Sequence, residues 1–290
     1  MTDVLYKPPG SITLDTPDYT SQLRLGIQGE GGTGKTWACT TFPNPIFISF
    51  DRGLICHIGR PDIIEVPFYD GKFVDSIKKR NGFLLPPDRK EALIKWLESE
   101  GPKIPANYTL ILDNNTGIQS AYHQWWQEHK EDADFLTRDN KIDTWKEWRL
   151  KIGFFTEIVM SLRAIKGTVV YLCHESPDRN DQGNLNGQVR PLLTGQFQDE
   201  LLTHFTDWFR AVVAPKPINA EQTVKFKERY QLTDERVKEF INSNPTPSVF
   251  LWQTISDTVA KCKTSLHLPP KYILADYKSF TQYQRKTTTV

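Results

Sequence analysis

The sequence predicts an α/β domain: a mainly parallel central sheet flanked by helices, with further strands toward the C-terminus and a small helical insertion. Three observations carry that expectation. Short apolar runs of strand length recur along the chain, helical periodicities separate several of them, and a glycine-rich loop joins the first run directly to a helix. Strands alternating with helices call for crossovers that return each strand parallel to the last and cover both faces of the sheet.

Taken in order, residues 1–20 are polar, rich in Pro and Thr, and read as an arm outside the core. Strand-like runs follow at Leu23–Gln28, Ile46–Phe50, Ile63–Pro67, Leu110–Asp113, Thr168–Cys173 and Trp208–Val213. Asp88 is placed to cap a helix whose apolar face is Leu93, Trp96 and Leu97, with Gly101 just beyond its end. Asp143 is placed to cap a longer helix carrying Trp145, Trp148, Ile152, Phe155, Val159 and Leu162 at spacings of three and four. Residues 215–247 break the rhythm: charged and bounded by prolines, they read as one or two exposed helices inserted between strands. Apolar strands return at Val249–Ile255, Thr258–Lys263 and Tyr272–Ala275, and residues 281–290 form a basic tail. The expected organisation is therefore one domain over residues 21–280, elaborated at 215–247, between an arm and a tail.

Composition narrows the function classes. With 36 basic and 35 acidic residues the formal charge is +1, so no global basic field announces nucleic acid, and any such site is a local patch. The 8 tryptophans read mainly as core. Cys39, Cys56, Cys173 and Cys262 lie far apart without a C-x-x-C pair, which reads as small buried hydrophobes in a reducing compartment rather than as a zinc site. No basic-then-apolar leader and no run of membrane-spanning length is present in the sequence, so the expectation is a soluble, cytoplasmic protein with no membrane partner.

The stretch Gly29-Glu30-Gly31-Gly32-Thr33-Gly34-Lys35-Thr36 matches the P-loop pattern G-x-x-x-x-G-K-[ST], and it stands where that motif must stand, between a strand and a helix opening at Lys35. Glycines let backbone amides converge on phosphates, and the start of the helix adds favourable partial charge. The cradle is expected to run from Gly29 through Trp37 and to take ATP. Lys35 would bridge the β- and γ-phosphates, and the Thr36 hydroxyl would ligate a magnesium ion. The run "YTLILDNN" supplies the second metal-side carboxylate, Asp113, acting through the ion's water shell. The next residue is Asn114 rather than Glu, so the base that activates water must come from elsewhere. Asp51, at the end of the strand after the P-loop helix, stands where the RecA-like P-loop ATPases that this order of features resembles carry that base, although Asp51 before Arg52-Gly53 also fits the opening of a turn. The run "TVVYLCHES" delivers His174 to the strand end where ligands of open α/β sheets collect, as a candidate sensor of the γ-phosphate, with Glu175 as an alternative partner.

The order of these features resembles the RecA-like phage ATPases of the nucleotide-binding or single-strand annealing kind, the Sak-four group. The resemblance runs from about Leu23 to Tyr277, on "GEGGTGKT", "FISFDRG", "LILDNNTG", "YLCHES", "GQVRPLLTGQFQDELLTHFTDWFRAV" and "AKCKTSLHLPPKYILADY". It implies a RecA-like P-loop NTPase fold and an ATP- and magnesium-dependent protein acting on single-stranded DNA in recombination, annealing or replication. Its copies would form a filament or ring, and a single-strand-binding protein is a further implied partner. Asp51 departs from the usual Glu and Lys263 from a frequent Arg, while the helices at 215–247 are extra.

The resemblance also gives a role to Lys261 and Lys263, which alternation along a strand would place on one side. In RecA-like assemblies a late basic pair reaches across the subunit boundary to the neighbour's γ-phosphate, so hydrolysis depends on assembly. The plainer reading is a solvated strand edge protected by lysines. The polar, Gly-rich segment 176–196 reads as a structureless loop, and the resemblance implies that it contacts DNA, with Arg179 and Arg190 as the candidate contacts. A second region, around Trp125, Trp126, Lys130 and Arg138, carries acidic residues that would repel a phosphate backbone, so packing is the expected role there. Three other functions compete: a hexameric helicase or packaging motor, a small-molecule kinase, and an ATP-gated interaction module with little turnover.

Overall fold

The computed structural model describes residues 23–69, 88–139, 141–179, 182–193, 197–243 and 246–284. The arm at 1–20 and residues 285–290 of the tail lie outside the described residues. The apolar runs form strands β1 (Arg24–Gly29), β2 (Pro45–Ser49), β3 (Ile64–Pro67), β4 (Thr109–Asp113), β5 (Thr168–Arg179), β6 (Leu185–Pro191), β7 (Asp207–Pro215), β8 (Ser248–Gln253) and β9 (Tyr272–Leu274). The helices between them are α1 (Lys35–Cys39), α2 (Asp88–Ser99), α3 (Asn115–His129), α4 (Thr144–Arg163), α5 (Phe197–Glu200), α6 (Ala220–Tyr230), α7 (Asp234–Ser243) and α8 (Tyr277–Thr281).

Across the sheet the order is β3-β2-β4-β5-β1-β7-β8-β9. The first six are parallel, and β8 and β9 join antiparallel at one edge. The strand carrying His174 thus lies between the strand of the glycine-rich loop and the strand of Asp113. This is the mainly parallel, helix-flanked α/β architecture expected from the sequence.

Alternation along each strand divides the core between two faces. Leu110, Leu112, Val169 and Tyr171 join the cluster made with α2, α3 and α4. Leu25, Ile27, Ile111, Val170 and Leu172 face the other way, toward Ala38 and Cys39 of α1 and Phe280 of α8. Asp143 caps α4, its carboxylate accepting the Lys146 N–H at 3.0 Å. Phe155, Val159 and Leu162 are buried as their spacing predicts, but Trp145 at the start of α4 is 73% exposed and meets Trp148 edge to face rather than packing on the core.

The insertion is less detached than its charge suggests. Phe226, Tyr230, Val237 and Phe240 of α6 and α7 pack on Val249, Leu251, Tyr272 and Leu274 as a third cluster. The last described residues also hold to the body: Arg236 donates to the Tyr283 hydroxyl at 2.6 Å. Of the cysteines, Cys39 and Cys173 are buried as expected, whereas Cys56 is exposed and Cys262 half-buried.

Two expectations are corrected. The described part of segment 176–196 is no structureless loop: β5 runs on to Arg179 and β6 pairs back against it, with a register shift between Pro177 and Arg179, while residues 180–181 and 194–196 lie outside the described residues. Polar, Gly-rich composition conceals a hairpin that is exposed from Leu185 to Gln188 and half-buried to buried from Val189 to Pro191. Residues 258–263, in turn, form no strand. The chain leaves β8 at Gln253 and pairs with the sheet through single bridges, Ala260 to Val189 and Lys263 to Trp208, rather than along a ladder. Lys261 and Lys263 therefore share no strand face.

Candidate nucleotide site

β1 ends at Gly29, and the chain turns through Gly32 (φ 78°) and Gly34 (φ 74°) into α1. Those positive φ values favour glycine. At Gly34 a Cβ would also meet the Phe250 ring at 2.6 Å. No side chain caps α1, so its first N–H groups have no capping acceptor. Lys35 is buried and folds back over the loop, its Nζ donating to the carbonyls of Gly29 (2.8 Å) and Glu30 (2.7 Å). Burial pulls the Lys35 ammonium below the usual lysine range, and Asp113 partly offsets this.

Asp113 ends β4 beside the P-loop. The Thr36 hydroxyl donates to its Oδ2 at 2.7 Å. Burial pushes the Asp113 carboxyl up to about 6; the bond from Thr36 opposes that rise and the charge of Asp51 adds to it. A buried carboxylate held above its ordinary range, next to a hydroxyl and an ammonium, fits a divalent ion and the phosphates it would accompany. The donors of Gly29 to Trp37 fit ATP, and Thr36 and Asp113 fit magnesium.

The other candidates gather at the same sheet edge. Asp51 follows β2, is exposed, and accepts the Gly53 N–H at 2.8 Å, so it does open the turn that its sequence context allows. Its charge nevertheless reaches both Asp113 and His174. His174, in register with Gly29, is half-buried. Burial and then Lys35 lower its pKa, against Asp51 and a hydrogen bond with the Gly29 backbone, so the ring is neutral at pH 7. Trp37 is partly exposed and lies against Phe250 with ring centres 5.9 Å apart.

The remaining candidates lie elsewhere. Lys261 is exposed and has no hydrogen bond or ion pair among the described residues. Lys263 donates its Nζ to the Phe205 carbonyl at 2.7 Å, near the start of β7. Arg179 reaches the Gly183 carbonyl (2.8 Å) within the hairpin, and Arg190 pairs with Asp178 across it at 3.1 Å. Neither hairpin arginine touches the P-loop cluster.

Sequence reasoning missed three features here. Arg210 of β7 grips Glu175 of β5 through two bonds of 2.9 Å, across the end of β1. The Glu175 side chain is only 2% exposed, so the pair is a buried fork holding the strand ends beside the P-loop. Ser49, in register with Asp113, is buried with no partner for its Oγ among the described residues. Gln28, one residue before the P-loop, is buried with an unpartnered Nε2. The sequence offers Glu175 only as an alternative partner to His174, and nothing local marks its pairing with Arg210 or the other residues.

A profile of the protein family described as an AAA domain, AAA_24, matches residues 21–246. No curated protein matches the chain. Among solved structures, the flagellar accessory protein FlaH from Methanocaldococcus jannaschii is 13% identical, with 69% of this chain and 75% of that one covered and a TM-score of 0.31. The RadB recombinase is 12% identical over 68% of this chain and 77% of its own, with a TM-score of 0.35. The assembled ATPase EscN of the enteropathogenic E. coli type III secretion system is 12% identical over 66% of this chain and 43% of its own, with a TM-score of 0.34.

Proposed function

The chain belongs to the AAA domain family AAA_24, and on that premise we propose that it is an ATP hydrolase assembling with copies of itself on single-stranded DNA, in phage recombination, annealing or replication. The observation that carries the nucleotide part is the convergence of Lys35, Thr36 and Asp113 at the mouth of the glycine loop. Gly29 to Trp37 would cradle the triphosphate. Thr36 and Asp113 would hold magnesium, which supplies charge neutralisation at the phosphates when bound.

Within this site the chain's own groups divide the work. Lys35 leaves the Gly29 and Glu30 carbonyls for the phosphates, a short swing that exchanges neutral acceptors for charged ones. Asp51 takes the proton of the attacking water, giving up the Gly53 N–H if it must turn inward. His174, neutral and tied to the start of the P-loop, reports the γ-phosphate to the hairpin that continues its own strand. Arg179 and Arg190 on that hairpin meet the DNA backbone. Lys261 and Lys263 meet the phosphates of a neighbouring subunit. Lys261 has its ammonium unengaged for this, and Lys263 would exchange the Phe205 carbonyl for a charge.

The experiment measures ATP hydrolysis and particle size with and without single-stranded DNA. Both are expected to rise with DNA, and Lys263→Ala or Lys261→Ala is expected to lose the stimulated rate while still binding nucleotide. Indifference of both rate and size to DNA would sink the DNA reading; equal loss of binding and rate in the lysine variants would sink their role across the boundary.

A further inference from the structure

Beside the P-loop lies an apolar surface that the phosphate cradle leaves unused. Trp37, in the first turn of α1, is 41% exposed. Its ring centre stands 5.9 Å from that of Phe250 on β8, with the two planes 36° apart. Phe250 lies against the loop itself, close enough that a Cβ on Gly34 would meet its ring at 2.6 Å. Val213 of β7 is in register with Phe250 and is 43% exposed. Directly opposed residues of paired strands point the same way, so Trp37, Phe250 and Val213 make one shelf on the α1 face of the sheet. The cradle uses the backbone of Trp37 and gives its indole no task.

The place of the shelf relative to the metal-side residues decides which part of a nucleotide would reach it. Thr36 turns its hydroxyl to Asp113 of β4. The next helical residue points about 100° away around the axis, and Trp37 meets β8 instead. In the sheet, β2, β4 and β5 lie on one side of β1, while β7 and β8 lie on the other. Asp51 after β2, Asp113 of β4 and His174 of β5 all belong to the first side. Those are the groups that would surround the ion and the γ-phosphate. A triphosphate seated with its terminal end there would leave the loop, at its nucleoside end, toward β7 and β8. Two exposed aromatic and aliphatic side chains and the Phe250 ring stand on that path.

We propose that Trp37 and Phe250 form the platform on which the base of the P-loop nucleotide stacks, with Val213 as its apolar margin, and that the site thereby selects purine nucleotides. The platform rests on the P-loop being the nucleotide site and adds to it the choice of base. Every base has a π-face, and stacking strengthens with the ring area covered. A platform of this kind therefore separates two-ring bases from one-ring bases, and does not itself separate adenine from guanine.

The test separates base from phosphate. The full chain and its Trp37→Ala, Trp37→Phe and Lys35→Ala variants are titrated by calorimetry with ADP, GDP, UDP and inorganic pyrophosphate, each with magnesium. In the unaltered chain ADP and GDP are expected to bind alike and more tightly than UDP. In Trp37→Ala the two purine affinities are expected to fall about tenfold, toward that of UDP, while pyrophosphate loses far less. Trp37→Phe keeps a ring and is expected to recover most of the loss, and Lys35→Ala to lose all four ligands. Purine affinity unchanged in Trp37→Ala overturns the platform and leaves the P-loop standing. An equal loss of ADP and pyrophosphate in that variant overturns it too, because the indole would then shape the loop rather than meet a base. No binding of any ligand by the unaltered chain, or binding that survives Lys35→Ala, fails the P-loop reading itself and the platform with it.

Discussion

At the scale of single residues, Asp113 is where binding competes with stability. Its pKa is about 6 in the folded chain against about 3.9 in an unfolded one. A carboxyl raised by folding weakens the fold once it ionises. The penalty is absent below about pH 4, grows between about pH 4 and pH 6, and is complete above that, at about 3 kcal/mol. Asp113→Asn is therefore expected to raise the melting temperature of the nucleotide-free protein at pH 7 by several degrees, with little gain near pH 4. It should also abolish magnesium-dependent ATP binding. Melting curves at the two pH values check this; an equal drop at both would show that the carboxylate serves the fold rather than the ion. The sequence marked Asp113 by its place after the apolar run Leu110 to Leu112, but burial and the Thr36 contact decide its proton affinity, and neither is local.

At the scale of elements, β1 is constrained from both sides. Its residues alternate between α1 and Trp208, and Gly26 is where the indole lies flat on the strand: a Cβ there would sit 1.9 Å from Trp208 Cε3. Gly26→Ala is expected to destabilise the protein by about 1–3 kcal/mol, measured by denaturant unfolding. Trp208→Phe in the same chain should relieve part of that cost, because residues in contact do not add independently. Purely additive losses would mean that the indole does not set the spacing. The hairpin β5–β6 and the excursion at 254–262 taught the opposite lesson. Largely polar strands carry no two-residue apolar signal, and "TVAKCKT" has strand-like composition without a neighbour along its length. The edge of β7 is taken by β8 down to Arg210, so only Lys263 pairs below it.

At the scale of the whole molecule, Lys263 is engaged by the Phe205 carbonyl and neither late lysine bonds a P-loop group among the described residues, so the proposed shared function is read between two chains. Mixing Lys35→Ala protein with the Lys261→Ala/Lys263→Ala double variant is expected to restore part of the DNA-stimulated hydrolysis that each lacks alone. In random symmetric assemblies roughly a quarter of the seams would combine an intact P-loop with intact lysines. A mixture as inactive as its parts would place the lysines in service of their own chain.

The sequence by itself determined the alternation of strands and helices, the glycine loop with Lys35 and Thr36, and the arrival of Asp51, Asp113 and His174 at one sheet edge. Each follows from local periodicity or from backbone geometry that only glycine allows. Only the tertiary structure decided that Glu175 meets Arg210, that the buried Gln28 Nε2 has no partner among the described residues, and that Lys261 and Lys263 part company. Those outcomes depend on which strands become neighbours and which side chains lose water, and contacts between residues distant in the chain leave no period in the sequence for a reader to find.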